Sequence, residues 1–593
     1  MKKTLLFSVA LAGLMLGSCS SSDDLNGGGN NTGSNQSGKG YVAFNINLPS
    51  QSGTSSRAGS ENDQFNEGMT SEYDVKDGAL LLFNGSTEKE ATFMKAYPLS
   101  TAPWTHVGDN TNVTTTSATI VKEVDSPASG NMYALVVLNR NNAFSLDPDG
   151  NIEIGSAKFD GSYADFMKKS SSASMTNDGF YMANAPLASL PGGTDDPAGA
   201  TITTLVNLKD KIKETESAAK SAPAQIYVER GVAKVTMQPS TTATVVPGSK
   251  PKGSTTEVAF LMTDWCLDNT NKSTYLVRST EDFDKWVSLH SNSTSVSPAQ
   301  YRFVGSNKVA EGLYRTYFAK DANYTKTENE TAVTAHDLVT TTTPTFVNKF
   351  GDKNPQYCFE NTFDVESQKD EYTTRVLIKA QLNGGKDFYV INGDENTIFT
   401  ENDVIAEIQN QFLSEYATWI ETNVELPTTV NQSNVKVTIS TDAGDVSIKS
   451  ITIDGLKLKA TASAAGLTGL PSDVVTKVTA RLGSIKKYDK GDSYYFVRIK
   501  HFGDDLTPWK NGESPAPSST AVYGSPVSEA NYLGRYGVLR NNWYDISVTG
   551  VQGLGSATVP EVTTTTDDEL KSYIAVQINV LSWAKRTQGA VLH

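Results

Sequence analysis

The chain has 593 residues, 20% of them charged and 38% hydrophobic, and a formal net charge of -15. That length exceeds one hydrophobic core and fits about three ordinary domains or two large all-β ones. The acidic excess excludes the basic footprint of a nucleic-acid-binding protein and suits an outward-facing protein with a polar surface.

The N-terminus reads as an address. "MKKTLLFSVALAGLMLGSCS" has Lys2 and Lys3, an apolar stretch, then Leu16-Gly17-Ser18-Cys19, the form of a secretory signal. The ending resembles a bacterial lipobox, with Cys19 as the lipidated residue; an ordinary signal with a chance Cys is the plainer alternative. A lipid chain anchors a protein without a spanning helix. No later apolar run is long enough to cross a bilayer. "SSSDD", from Ser20 to Asp24, resembles the acidic surface-export signals of Bacteroidetes lipoproteins. The Gly/Asn/Ser-rich "LNGGGNNTGSNQSGKG" that follows lacks the apolar content to fold and reads as a tether.

"YVAFNINL" is a clean strand, with Val42, Phe44, Ile46 and Leu48 on one face. A soft polar linker comes next and carries one Arg, Arg57, followed by Ala58. A protease could cut there.

Further strands follow in chain order. "VKDGALLLFNG" puts Ala79, Leu81 and Phe83 on one face, and "NMYALVVLNRNN" is a continuous apolar run closed by Asn turns. "QIYVERGVAKVTM", "EYTTRVLIKAQL", "NVKVTISTDAGDVSIKSITIDG", "SYYFVRIKHFG" and "NWYDISVTGV" continue the period of two, with "DAGD" and "DGL" as turns. "SYIAVQINVLSW" is the last, with Ile574, Val576, Ile578 and Val580 facing one way. Helical spacing is confined to "TITTLVNLKDKIKETESAAK", "NDVIAEIQNQFLSEYATWIETN" with Asn402 as its cap, and the short "YADFMKKS".

The expected fold class is mainly β: two β-sandwich domains with Greek-key connections and a few short helices. The expected division is a signal peptide over 1–19, a tether and N-terminal strand over 20–57, sandwiches over 58–224 and 225–572, and a C-terminal strand with tail over 573–593. The boundary near residue 224 rests on the small and Pro-containing "SAAKSAPAQIYVER".

The chemistry-bearing residues do not assemble into a reaction centre by spacing. His106, His290, His336, His501 and His593 are scattered, so no metal or other cofactor is implied. "LDPDGN" is a Pro-Asp-Gly turn, lacking the acid spacing of a calcium loop. No phosphate loop or nucleophile elbow is present. Cys266 and Cys358 either pair or sit as two buried thiols, and the second reading is preferred.

Arg57-Ala58 after an N-terminal strand, "VERGVAKV", "YCFENTFD", "RVLIKAQL", "LRNNWYDISVTGVQGLG" and "IAVQINVLSWAKRTQGAVLH" occur in that order. Together with the lipobox they resemble the Bacteroidales fimbrillins, subunits of type V pili, and most of all the shaft subunit of short, Mfa-type fimbriae. Leu581-Ser582-Trp583 departs from the family, which often has Pro before the Trp. The resemblance implies a transthyretin-like sandwich and no catalytic site. It implies a precursor lipid-anchored at the outer membrane and cut by an Arg-specific protease between Arg57 and Ala58. The removed strand, with Val42, Phe44, Ile46 and Leu48, then leaves a groove that a neighbouring copy fills by donor-strand exchange. The implied partners are copies of itself in a head-to-tail filament, fimbrial anchor and tip subunits, and host or bacterial surface ligands in adhesion. The candidate donor lies within 573–593: Ile574, Val576, Ile578, Val580 and Trp583, or the tail with Ala590, Val591 and Leu592. Whether the strand stays in its own domain while the tail donates, or both move, is open at the level of sequence. So are two other classes: a non-polymerising anchor or tip adhesin, and a surface glycan-binding lipoprotein or hydrolase.

Overall fold

The computed structural model describes residues 38–48, 69–99, 105–107, 115–126, 130–192, 199–241, 244–281, 283, 302–310, 312–326, 333–339, 343–362, 369–425, 430–502, 533–562 and 574–582. Alternating apolar and polar residues set the first strand, β1 (Lys39–Asn47), whose Val42, Phe44 and Ile46 enter the core. It shares a nine-stranded sheet with β2 (Gly78–Gly85), β3 (Thr92–Leu99), β4 (Thr105–Val107), β5 (Thr115–Asp125), β6 (Asn131–Leu138), β7 (Met182–Asn184), β8 (Val206–Asn207) and β9 (Ala224–Arg230). The order is β3-β2-β6-β7-β9-β1-β5-β4, with β8 beside β6.

β2 and β6 are buried on both faces. Leu80 and Leu82 are as buried as Ala79, Leu81 and Phe83, as the unbroken apolar runs require. β6 stops at a cluster of left-handed asparagines, Asn139, Asn141 and Asn142, with φ of 52°, 48° and 61°. Asn139 is buried and pins the neighbouring chain: it accepts from the Lys76 N–H and donates to the carbonyls of Asp74 and Phe180.

β9 is divided between two neighbours. Its residues Ala224–Tyr227 run parallel to β1, and Val228–Arg230 run antiparallel to β7. One strand thus joins the β1-β5-β4 layer to the β3-β2-β6-β7 layer. The boundary was expected near residue 224. Ile226 and Val228 belong to the first core, and the chain enters the second only at β10 (Ala233–Gln238). The Pro-containing stretch marks a turn into the last strand of the first sheet.

The second half adds β11 (Val258–Asp268), β12 (Gln356–Cys358), β13 (Arg375–Leu382), β14 (Asp492–Arg498), β15 (Asn542–Val551) and β16 (Ile574–Ser582). One sheet runs β12-β10-β15-β16; the other holds the short strand Val245–Val246, then β11, β13 and β14. Val235 and Ile546 from the first sheet share a core with Phe260, Ile378 and Val497 from the second, the arrangement of a sandwich. The fold class is therefore as the alternation implied: mainly β, with helices few and short.

Residues 383–491 interrupt the pairing of β13 with β14, whose register runs from Arg375 opposite Arg498 to Gln381 opposite Asp492. The interrupting segment has its own core. Val404, Ile408 and Phe412 of the helix Glu401–Glu415 meet Val474 and Val478 of the helix Val474–Leu482, against the hairpin Val435–Ile439/Ile448–Ile453. The expected helix over 402–423 appears as Glu401–Glu415 and Ala417–Asn423, but its cap is Thr400 rather than Asn402. The Thr400 hydroxyl accepts from the Asp403 N–H, and the Asp403 carboxylate accepts from the Thr400 N–H, which leaves Asn402 inside the first turn.

The helix expected over "TITTLVNLKDKIKETESAAK" is mostly overturned: Ile202–Thr203 and Val206–Asn207 are strands, and only Glu216–Ser221 is helical. Tertiary pairing wins. Val206 and Asn207 pair with Ala134 and Tyr133 of β6, and the N–H groups of Thr204 and Leu205 donate to the Glu88 carboxylate.

Burial pushes that Glu88 carboxyl up to about 7, although the two N–H donors act against it. A carboxyl raised on folding contributes stability that is fully present below its ordinary value near 4.5 and lost as pH rises through about 7, here roughly 3 kcal/mol. Glu88→Gln is expected to unfold at a higher temperature than the parent chain at pH 8 and at about the same temperature at pH 5, by thermal melts across that range.

Candidate functional site

The site begins with β1 itself. Its main chain is paired along both edges. Lys39–Asn47 run antiparallel to Ser117–Asp125 of β5, and Phe44–Asn47 run parallel to Ala224–Tyr227 of β9. Toward its N-terminal end the β9 side is taken over by Lys213, which exchanges two hydrogen bonds with Tyr41, N–H to O at 2.7 and 2.8 Å. Val42, Phe44 and Ile46 have no exposure and Leu48 has 3%. These are the four apolar residues that the sequence places on one face. Ala43, on the opposite face, is buried too, and the helix Glu216–Ser221 with its buried Ala219 lies against the strand. The polar positions are also matched: Asn45 Nδ2 donates to Gln225 Oε1 (3.0 Å), and Asn47 Nδ2 donates to Gln225 Oε1 (3.4 Å) and the Ile226 carbonyl (3.2 Å).

Taking β1 out would leave two unpaired strand edges and a recess about 30 Å long, at roughly 3.3 Å per residue. Burying its four apolar side chains is worth roughly 1.5–3 kcal/mol each. A recess of that form would suit an extended peptide, with main-chain bonds supplying affinity and alternate pockets supplying selectivity.

The chain just beyond the linker is held independently of β1. Glu72 is fully buried; its carboxylate meets Lys234 Nζ at 2.8 Å, accepts from the Tyr357 hydroxyl at 2.5 Å and accepts from the Met69 N–H at 2.9 Å. Arg230 Nε donates to the Glu72 carbonyl at 2.8 Å, and Lys234 Nζ lies 3.9 Å from the centre of the Trp543 ring. Burial lowers the Lys234 ammonium below its ordinary value and the Arg230 guanidinium to about 10. Lys234 of β10 and Tyr357 of β12 thus converge on the carboxylate, Arg230 of β9 holds the main chain of the same residue, and Trp543 of β15 packs on Lys234. Sequence reasoning missed Glu72, because its only local signal is an acid in a polar stretch.

The other expected site residues fall as follows. Ile574, Val576, Ile578 and Val580 lie on β16, opposite Val551, Val548, Ile546 and Tyr544 of β15 in the same chain. β16 is the outermost strand of its sheet, with β15 as its neighbour. Cys19, Arg57, Ala58, Trp583, Ala590, Val591 and Leu592 lie outside the described residues. Cys266 and Cys358 are buried free thiols, each pushed up to about 12 by burial.

Residues 522–589, a span that contains β15 and β16, match a family of fimbrial subunits. Its description is "Major fimbrial subunit protein type IV, Fimbrillin, C-terminal". Over that region the chain is similar to the fimbrillins, the family that the sequence resembles. No curated protein is significantly similar to the chain in sequence. Among solved structures it is similar to a candidate cell adhesion protein from Parabacteroides distasonis ATCC 8503, at 11% identity and a TM-score of 0.35, over 94% of this chain and 99% of that one. It is also similar to a fimbrilin (fimA) from Porphyromonas gingivalis W83, at 12% and 0.34, over 92% and 98%. A third is the tip fimbrial protein Mfa3 of Porphyromonas gingivalis with a C-terminal truncation, at 10% and 0.25, over 92% and 100%.

Two stability measurements follow. Phe44→Ala in the uncut chain is expected to cost about 3–5 kcal/mol in urea unfolding, the loss of a buried aromatic ring. Glu72→Ala removes the buried carboxylate that Lys234 Nζ and the Tyr357 hydroxyl meet, and is expected to cost about 3–5 kcal/mol in the same assay.

Proposed function

We propose that the chain is the shaft subunit of a cell-surface fimbria, with a structural rather than catalytic role. It is exported as a lipoprotein with Cys19 as its lipidated residue and held at the outer membrane as a precursor. An Arg-specific protease cuts between Arg57 and Ala58, β1 leaves with the tether, and the C-terminal segment of a neighbouring copy fills the recess. The contact is head-to-tail and does not close on itself, so repetition makes a filament. Anchor and tip subunits bound it at its ends, and the assembled fibre serves adhesion.

The observation that carries this reading is the position of β1. A strand paired on both edges, with four apolar side chains in the core, is joined to Met69 only through residues 49–68, which contain Arg57. A proteolytic cut in that segment turns an integral strand into a separable peptide. The fimbrillin match over residues 522–589 supports the fimbrial role. Glu72 supports the order of events, because it ties the segment after the linker to β9, β10 and β12 through partners none of which lies on β1.

The test is the N-terminus of the protein sheared from cells. A start at Ala58 is expected, and Arg57→Ala is expected to leave uncut, unpolymerised precursor. Normal fibres from Arg57→Ala, or fibres whose subunits begin with lipid-modified Cys19, would overturn the activation step.

A further inference from the structure

Two turns that the sequence marks have no part in strand exchange, and the fold brings them to one cleft. "NRNN", Asn139 to Asn142, ends β6. "LDPDGN", Leu146 to Asn151, joins Ser145–Leu146 to Ile152–Ile154 in a small sheet that Ala157–Phe159 completes. Between the two turns lies a cleft of about 600 Å³, bounded also by Lys76, Asp77 and Asp178. That volume is in the range of small-molecule sites, roughly 300–1,000 Å³.

The walls of this cleft are held in place by the protein alone. Asn139, Asn141 and Asn142 have left-handed backbone, a conformation that is costly for residues other than glycine and that collects at functional positions. Asn141 is buried and ties two walls together. Its Nδ2 donates to the carbonyls of Asn139 and Gly179, at 2.9 and 2.8 Å, and its Oδ1 accepts from the Asp178 N–H at 2.8 Å. Gly179 has a φ of 88°, and a Cβ there would lie 2.6 Å from Asn139 Nδ2. Arg140 is fixed along one edge: its N–H and its Nε both donate to the Asp77 carboxylate, at 2.8 and 2.5 Å. Its side chain is 26% exposed, and Nη1 and Nη2 meet no partner among the described residues. Asn142, Glu153 and Asp178 are exposed, and their side chains meet no partner there either. The cleft thus offers a free guanidinium edge and a free amide from one turn, and two free carboxylates from other segments.

Charge decides what such a cleft takes. Asp77 neutralises Arg140, and Lys76, Glu153 and Asp178 leave one net negative charge in a chain whose own net charge is -15. A phosphate, sulfate or carboxylate meets that excess at a disadvantage. A metal ion finds no group of three His, Cys, Asp or Glu side chains among the described residues. A neutral polyol suits the mixture, because each hydroxyl both donates and accepts. Neighbouring hydroxyls can donate to Glu153 and Asp178 and accept from Arg140 and Asn142, and bonds to charged groups are the strong ones. We propose that this cleft binds a neutral saccharide, with Arg140, Asn142, Glu153 and Asp178 as its contacts. The site gives a ligand class to the adhesion in the reading above and rests on that reading for its role, while binding itself needs neither the cut nor the filament. Repeated in every subunit of a fibre, weak single sites reinforce one another.

An array that displays neutral, sialylated and sulfated oligosaccharides tests the site. The protein applied to it is the full chain carrying Arg57→Ala, so that neither cleavage nor assembly bears on the result. Retention on neutral glycans is expected. It is expected to fall about tenfold in Asp178→Ala and in Arg140→Met, each of which removes a charged partner of the hydroxyls. Asn142→Gly keeps the left-handed backbone and deletes the amide, and is expected to weaken retention about threefold. Thermal melts separate a lost contact from a lost fold: Asn142→Gly and Asp178→Ala are expected to melt close to the parent chain. No retention on neutral glycans, or retention that all three variants leave unchanged, overturns the proposal. Retention confined to the sialylated or sulfated glycans overturns it as well. Normal fibres from Arg57→Ala would overturn the activation step and leave this site standing.

Discussion

The structure depends on the two-sided pairing of one strand. β1 supplies the hydrogen bonds for an edge of β5 and for half of β9, and it fills the space between them with Val42, Phe44 and Ile46. An outer strand can leave a sheet at the cost of one ladder. An inner strand cannot leave without parting its neighbours, and β1 satisfies the main chain on both of its sides. Without the strand, the opening between β5 and β9 would be long, apolar on one face and lined with unpaired backbone on both sides.

What keeps the body intact across such a change is a set of buried charges near the passage from the first half to the second. Glu72, Lys234, Arg230 and Tyr357 form one cluster, and Arg278 holds Glu229 through two nitrogens in another. Burying such groups is costly, and replacement by apolar residues is often neutral for stability. Their contribution here is positional. Arg230, Lys234 and Tyr357 reach Glu72 from β9, β10 and β12, so these three strands are tied to one point by contacts that do not involve β1.

The segment between β13 and β14 shows how much a sandwich tolerates. Residues 383–491 leave and re-enter at adjacent positions of a hairpin, Leu382 and Asp492, and carry their own core of helices and a hairpin. The two sandwich strands keep their register because the ends of the insertion are already neighbours. Lys487 holds the return of the insertion to Asp387 and Asp489, close to the point of departure.

Much was legible in the sequence where the signal is local. The period of two marks β1, β2, β6, β13 and β15, because side chains alternate across a pleated strand whatever its neighbours are. The apolar face of the first strand, Val42 to Leu48, and the Arg57 that follows it needed no tertiary information, nor did the capped helix near residue 401. Long-range pairing decided the rest. Val206 and Asn207 are extended because β6 offers an edge and Glu88 takes the N–H groups beside them, against the helical spacing of their own segment. β9 stays in the first sheet because β1 and β7 divide its length. Glu72 is a fixed point only because three distant strands bring Arg230, Lys234 and Tyr357 to it. Only the fold gives the asparagines of β1 a partner in Gln225, since a polar side chain in a strand has no preference of its own until a neighbour presents the group it can bond.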